Sequence, residues 1–216
     1  MIRVRKNETP PATLATKGYR DDDVRRAIHA DQAGKCYLCE RGMHSDIQVE
    51  HRQSKNNFPH LTDVWSNLFL ACSFCNGKKL DNYDDILDPA VENIEALIRH
   101  DYDAESDKFS FTPAGDAKPA VECTIKLLNL IFNGTRPKLL TIKEEALHKD
   151  FQSVYTNFNN LLADYLQAPS SATEAKVRNE LTVGSEFLGF KYWMIMSDAK
   201  LSTAFGDDII WNKRGC

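Results

Sequence analysis

The chain has 216 residues, of which 42% are hydrophobic and 27% are charged, and its formal net charge is −4. This composition suffices for a buried core and excludes a disordered chain. The sequence has no run of about 18 apolar residues, and its basic start, MIRVRKNETPP, lacks the apolar stretch of a secretory signal. We therefore expect a soluble cytoplasmic protein without a membrane-spanning segment.

The charge distribution argues against a broad nucleic-acid-binding surface. Acidic and basic residues balance over residues 1–90, and the acidic excess lies in residues 91–216. Proteins that bind nucleic acid usually carry a basic surface. Any such contact is therefore expected to be local or to depend on a partner.

The first elements precede the cysteine motifs. Residues 1–16 alternate apolar and basic side chains and then reach Pro10-Pro11, which predicts a short strand or an extended arm. We expect this arm to be solvated. Three aspartates from Asp21 onward, followed by an apolar stripe, predict a helix that ends near Gly34.

Four of the six cysteines form two Cys-x-x-Cys pairs, Cys36 with Cys39 and Cys72 with Cys75. In a reducing compartment this is the spacing of metal ligands, and four thiolates predict a closed structural zinc site. A rubredoxin-like iron site would use the same sulfurs, and chance or redox pairing is the remaining alternative. The 32 residues between the pairs exceed the spacing of a simple zinc ribbon, so this segment is expected to carry a further function.

The segment between and after the pairs contains Glu50-His51, Asn67 and Asn76. Taken singly, a histidine or an asparagine is more often structural. Combined with the two cysteine pairs, these residues resemble the HNH, or ββα-metal, endonuclease family in its zinc-stabilised form. The resemblance implies an α+β fold in which a β-hairpin with the histidine faces a helix with the last asparagine, followed here by a mainly helical region.

The resemblance also assigns roles to single residues. It implies that His51 is the general base, that Asn67 orients the histidine loop, and that Asn76 is a ligand of a catalytic Mg²⁺ or Mn²⁺ ion. Glu50 occupies the position where the family often has a metal-binding aspartate, and Asn76 stands where many members have histidine. Glu50 binds this metal only if the strand breaks before His51, because adjacent residues of a regular strand face opposite ways. In a regular strand, Glu50 would contact the metal ligands and not the metal itself.

These residue types suit phosphodiester hydrolysis. Histidine has an unperturbed pKa of about 6.5 and accepts a proton from water near neutral pH. A carboxylate and an amide oxygen are hard ligands that suit Mg²⁺. Basic residues beside the two segments are candidate nucleic-acid contacts; they are Arg52, Lys55, Lys78 and Lys79.

A domain boundary is predicted near residue 88, which divides the chain into residues 1–88, with the arm, first helix and nuclease core, and residues 89–216, a mainly helical accessory or partner-binding region. In the second part the apolar patterns predict helices over 91–100, 121–132, 141–166 and 177–199, and a strand over 108–111.

A narrower resemblance covers residues 1–136, through the start IRVRK, the cysteine core and the later TIKLLNL, with Arg136 at its end. Together these segments are similar to the small HNH subunit of Septu-type anti-phage defence systems, which also occurs beside retrons. The resemblance implies an ABC-type ATPase as partner and DNA as substrate. Two alternatives remain: a zinc-ribbon binding module without catalysis, and an HNH nuclease of a restriction or mobile element.

Overall fold

The computed structural model describes residues 1–43, 45–135 and 139–209. In this part of the chain two antiparallel hairpins alternate with helices. The elements in chain order are α1 (Thr13–Lys17), α2 (Asp22–Asp31), β1 (Ile47–His51), β2 (Leu68–Cys72), α3 (Ser73–Lys79), α4 (Ile94–Leu97), β3 (Ile98–Asp103), β4 (Lys108–Pro113), α5 (Pro119–Asn133), α6 (Ile142–Gln167), α7 (Ser171–Glu180), α8 (Leu188–Met196) and α9 (Ala199–Phe205).

The first hairpin and the helix after it form a ββα unit. Strand β1 pairs with β2 so that Glu50 lies opposite Phe69 and His51 lies opposite Leu68. All five residues of β2, LFLAC, are buried, and α3 follows β2 without a loop. This arrangement, with clustered cysteines and a helical C-terminal region, confirms the predicted α+β class.

The N-terminal arm is packed against the rest of the protein, so the prediction of a solvated tail is wrong. Met1, Ile2 and Val4 are buried, and the Val4 N–H donates to the Pro89 carbonyl at 2.7 Å. Met1 and Val4 belong to the main buried cluster and Ile2 to a second one, so the arm is covered on more than one side. Helix α2 begins where predicted, with the Asp21 carboxylate accepting from the Asp23 N–H.

The helix predicted over residues 91–100 is largely wrong. Only one helical turn, α4, forms, and the chain then continues as β3, which pairs with β4. His100 and Tyr102 face Phe111 and Phe109 across this second hairpin. The strand predicted over 108–111 is present and extends to Pro113.

The helices α5 and α6 agree with the predicted segments, whereas the last predicted helix, 177–199, is divided among α7, α8 and α9. The main core is continuous across residue 88, since Leu70 of the first part and Phe132 and Phe151 of the second belong to one buried cluster. Arg136 and residues 210–216 lie outside the described residues. Over the described ranges, no helix is both long and apolar enough to cross a membrane.

Candidate metal centre and active site

The four predicted metal ligands meet at one buried point. The sulfur atoms of Cys36, Cys39, Cys72 and Cys75 all lie within 4.8 Å of one another. Four thiol groups at this separation fit a single ion bound by about 2.3 Å Zn–S bonds in a closed tetrahedral site. The chain therefore has a four-cysteine cluster that can hold a metal ion and whose chemistry suits zinc.

The first cysteine pair lies on a turn whose backbone is stabilised by the hairpin. The Tyr37 N–H donates to the Leu70 carbonyl of β2 at 2.9 Å, and the Glu40 N–H donates to the Cys36 carbonyl at 2.9 Å. The residues on either side of this pair, Gly34 and Glu40, have left-handed φ angles of 70° and 63°, a conformation that glycine adopts readily. The second pair spans the start of α3, where the Cys75 N–H donates to the Cys72 sulfur.

His51 ends β1 with its ring between a loop carbonyl and an aromatic ring. Its Nε2 lies 2.8 Å from the Thr62 carbonyl oxygen, and its ring meets the Tyr19 ring edge-on at 4.6 Å. A carbonyl only accepts hydrogen bonds, so this partner assigns the proton to Nε2 and leaves Nδ1 as the proton acceptor. Burial lowers the pKa of His51, which favours the neutral form that a base requires.

Asn67 links both ends of the loop that follows His51. Its Oδ1 accepts from the Gln53 N–H at 2.8 Å, and its Nδ2 donates to the carbonyls of Gln53 and Leu61 at 2.9 and 3.2 Å. Leu61 precedes Thr62, whose carbonyl contacts the His51 ring. Asn67 is therefore positioned to fix the loop that orients the histidine.

Glu50 is buried on a regular part of β1, and both of its oxygens have protein partners. Oε2 accepts from the Tyr37 hydroxyl at 2.6 Å, and Oε1 lies 3.0 Å from the Lys79 ammonium. Burial raises the pKa of Glu50 to about 7, although the positive charge of Lys79 opposes this shift. Since β1 stays paired through His51, the strand break that would turn Glu50 and His51 to the same side is not present.

Glu50, His51 and Asn76 nevertheless line a single cavity of about 250 Å³. Asn76 lies on α3, and its Nδ2 donates to the Gln48 side-chain oxygen at 2.7 Å, which leaves the Asn76 amide oxygen as the hard donor at that point. A carboxylate oxygen has two lone pairs, so the Glu50 partners do not exhaust its capacity to bind a cation. The oxygen donors of this cavity thus fit a divalent ion of the Mg²⁺ type.

The four predicted nucleic-acid contacts have different environments. Lys79 is fully buried, so its prediction as a phosphate contact is wrong: its ammonium group pairs with Glu50 and donates to the His51 carbonyl at 3.1 Å. Arg52 and Lys78 are mostly covered and pair with Asp88 at 3.4 Å and Glu144 at 2.7 Å. Lys55 is exposed and lines the cavity.

Two supporting residues were not predicted from the sequence. Tyr37 lies between the cysteines of the first pair and donates to Glu50. Asp84 accepts from the N–H and the hydroxyl of Ser54, at 2.6 and 2.8 Å, and lies 3.7 Å from the Lys79 ammonium. The acidic run DNYDDI was the only sequence signal for Asp84, and its pattern is that of an exposed turn.

Comparison with known proteins points to the same segment. The sequence model of the HNH endonuclease family matches residues 36–82, which contain both cysteine pairs and all the residues that line the cavity at His51 except Tyr19. The chain carries an HNH domain. Septu protein PtuB of Bacillus thuringiensis is 34% identical to it over 59 residues, which are 26% of this chain and 23% of PtuB. The chain thus aligns with less than a quarter of that relative's length. The HNH domain and this partial similarity together support the interpretation that the chain is a nuclease resembling Septu proteins.

Proposed function

We propose that the chain is a metal-dependent HNH endonuclease that hydrolyses phosphodiester bonds, with DNA as its substrate. The observation that carries the proposal is the single cavity shared by His51, Glu50 and Asn76 beside a four-cysteine metal site. A base and hard oxygen ligands around one cavity are the groups that this hydrolysis needs.

Each side chain has a task in the proposed reaction. His51 accepts the proton of the attacking water at Nδ1, because its Nε2 is engaged by the Thr62 carbonyl. Asn67 keeps that carbonyl in place through the loop. A divalent ion held by Asn76, with Glu50 supporting the site through its neighbours, would stabilise the negative charge that grows on the phosphate and on the leaving 3′ oxygen.

The zinc site is assigned a structural task. Four thiolates leave no open coordination position, so this ion would not bind substrate. Cys72 begins α3 and Cys75 lies within it, so the bound ion would fix the helix that carries Asn76 against the hairpin that carries His51.

We further propose that the nuclease works in an anti-phage defence complex with an ABC-type ATPase. The similarity to Septu protein PtuB supports this assignment. The net charge of −4 also favours a partner, because an acidic protein has little electrostatic attraction for DNA and a partner would supply the DNA-binding surface. Co-purification of an ATPase encoded by a neighbouring gene tests this part, and its absence from the purified complex would contradict it.

The nuclease proposal is tested by incubating the purified full-length chain with end-labelled DNA and RNA, each single- and double-stranded. We expect internal cleavage of DNA with Mg²⁺ or Mn²⁺ and none with Ca²⁺. Faster cleavage of RNA would change the assigned substrate. Binding of nucleic acid without cleavage under every metal condition would instead favour a zinc-ribbon binding module.

A further inference from the structure

A second cavity adjoins the one that contains His51. It has a volume of about 390 Å³ and is lined by residues of the turn before α2, by Arg25 of α2, by β1 and by Asn76. Tyr19, Val49 and Asn76 line both cavities. The two cavities therefore form one groove that crosses the active site, and Tyr19 lies where they join.

Tyr19 is held firmly in this position. Its N–H donates to the Asp63 carboxylate at 2.7 Å, and the preceding Gly18 has a φ of 76° and approaches the same carboxylate so closely that an added Cβ would lie 3.0 Å from its oxygen. Asp63 follows Thr62, which contacts His51. The turn that carries Tyr19 and the loop that orients the base are thus one connected structure.

Two cations converge on the Tyr19 hydroxyl. The Arg20 Nε donates to it at 3.2 Å and the Lys55 Nζ at 3.0 Å. Arg20 and Lys55 are exposed, and over the described residues neither lies within ion-pair distance of a carboxylate. By contrast, Arg25 and Arg26 on α2 pair with Asp22 and Asp23.

Bringing two positive charges to one neutral oxygen is electrostatically unfavourable unless an anion joins them. A phosphodiester has the charge and the acceptor oxygens that an arginine and a lysine bind together. The Tyr19 ring between them offers a flat apolar face of the kind on which bases stack in single-stranded nucleic acid.

We propose that Tyr19, Arg20 and Lys55 form a phosphate clamp that binds the substrate strand beside the phosphate attacked at His51. This inference rests on the proposed nuclease function and extends it, since it adds Tyr19 and Arg20, which lie outside the HNH segment, to Lys55 within it. Arg20 and Lys55 contact the phosphate, and Tyr19 is a positioning residue that keeps the two cations together.

The binding test uses the full chain with His51→Ala, so that the labelled oligonucleotide stays intact, and measures fluorescence anisotropy between about 50 and 200 mM salt. Arg20→Gln and Lys55→Gln should each weaken binding about three- to tenfold and reduce the slope of log K against log salt by about 1. Arg26→Gln is the matched control, because this exposed arginine lies on α2 and lines neither cavity. It should leave affinity and slope unchanged.

Tyr19→Phe separates positioning from catalysis, because it removes the hydroxyl and keeps the ring against His51. In the otherwise unchanged protein it should raise KM several-fold with kcat nearly constant. A decrease of kcat alone in Tyr19→Phe would contradict the clamp. So would an Arg20→Gln variant that binds with the parent's affinity and salt slope, or an Arg26→Gln variant that loses as much affinity as Arg20→Gln. If the unchanged protein neither cleaves nor binds any nucleic acid, the proposed nuclease function is contradicted. If it cleaves DNA and Arg20→Gln does not change binding, only the clamp is contradicted.

Discussion

The Lys79 ammonium lies 3.0 Å from the Glu50 carboxylate, and both residues are buried beside the active-site cavity, which Glu50 lines. Lys79 belongs to α3 and Glu50 to β1, so the pair joins the metal-binding helix to the strand that carries His51. The same ammonium donates to the His51 carbonyl. This pair therefore couples the positions of the two halves of the site.

Replacing Lys79 by methionine should destabilise the fold. The change leaves the Glu50 carboxylate buried without its cation, and breaking such a pair costs about 3–5 kcal/mol in the free energy of unfolding. Urea denaturation at about pH 8, above the Glu50 pKa of about 7 in the parent, measures the loss. The double variant Lys79→Met, Glu50→Gln should recover part of it, and a single variant as stable as the parent would contradict the role of the pair.

Loss of one zinc ligand should cost folding as well as activity. Structural zinc binding contributes directly to the free energy of folding, so Cys72→Ser is expected to lose the metal and several kcal/mol of stability, roughly 10 °C in Tm. Metal analysis and thermal unfolding measure both. Cys123→Ser is the control, because Cys123 lies outside the cluster on α5 and is only partly buried. A folded, metal-free Cys72→Ser protein would contradict the structural role of the site.

A separate prediction concerns the ion pair that joins α6 to α3. Glu144 accepts from Lys78 at 2.7 Å and also completes a capping box with Thr141 at the start of α6. Lys78→Met removes only the ion pair, whereas Glu144→Ala also removes the hydrogen bond from the Thr141 N–H to the Glu144 carboxylate, so the second should be less stable by about 1 kcal/mol. Denaturation curves compare them; equal losses would show that the capping box contributes nothing.

Acid should destabilise the protein through His100. This residue is buried, its ring packs edge-on against Phe111 and Phe190 at 5.2 Å, and the Met1 amino group and the Glu40 carboxylate face it. Burial lowers the pKa of His100 from 6.5 to about 3. The unfolded chain therefore binds more protons between these values, and stability falls as pH decreases below about 6.5, by up to about 1.4 kcal/mol per pH unit.

His100→Gln tests this contribution. The variant is expected to be less stable at neutral pH, because the ring contacts are lost, but its stability should change less between pH 6.5 and about 3. Urea denaturation over that pH range measures the difference. A pH dependence identical to that of the parent would assign the acid sensitivity to other groups.

The metal centre and the ββα fold could be predicted from the sequence because their signals are local. The spacing of the four cysteines determines the metal site, and Glu50-His51 and Asn76 lie at fixed distances from it along the chain. The burial of Lys79 could not be predicted, since Asn76-Gly77-Lys78-Lys79 has the composition of an exposed helix end. Its orientation depends on the packing of α3 against β1, where the Glu50 carboxylate and the His51 carbonyl receive its ammonium group.

The second hairpin shows a different limit of prediction from the sequence. Ile94, Leu97 and Ile98 have helical spacing, and one helical turn does form there. The chain becomes a strand at Ile98 because Phe109 and Phe111, on the next strand of the hairpin, pair with Tyr102 and His100. Tertiary pairing of this kind outweighs the short helical pattern. The clamp around Tyr19 was likewise not predictable, because it joins residues from two loops.

The most direct test of the central claim is the rate of DNA cleavage by His51→Ala with Mg²⁺, measured beside metal content and Tm. We expect the variant to keep its zinc and its fold and to cleave at least about 100-fold more slowly, the contribution typical of a general base. His60→Ala, a change at an exposed histidine outside the cavity, should cleave at the parental rate. Cleavage by His51→Ala at the parental rate would contradict the assignment of His51 as the base.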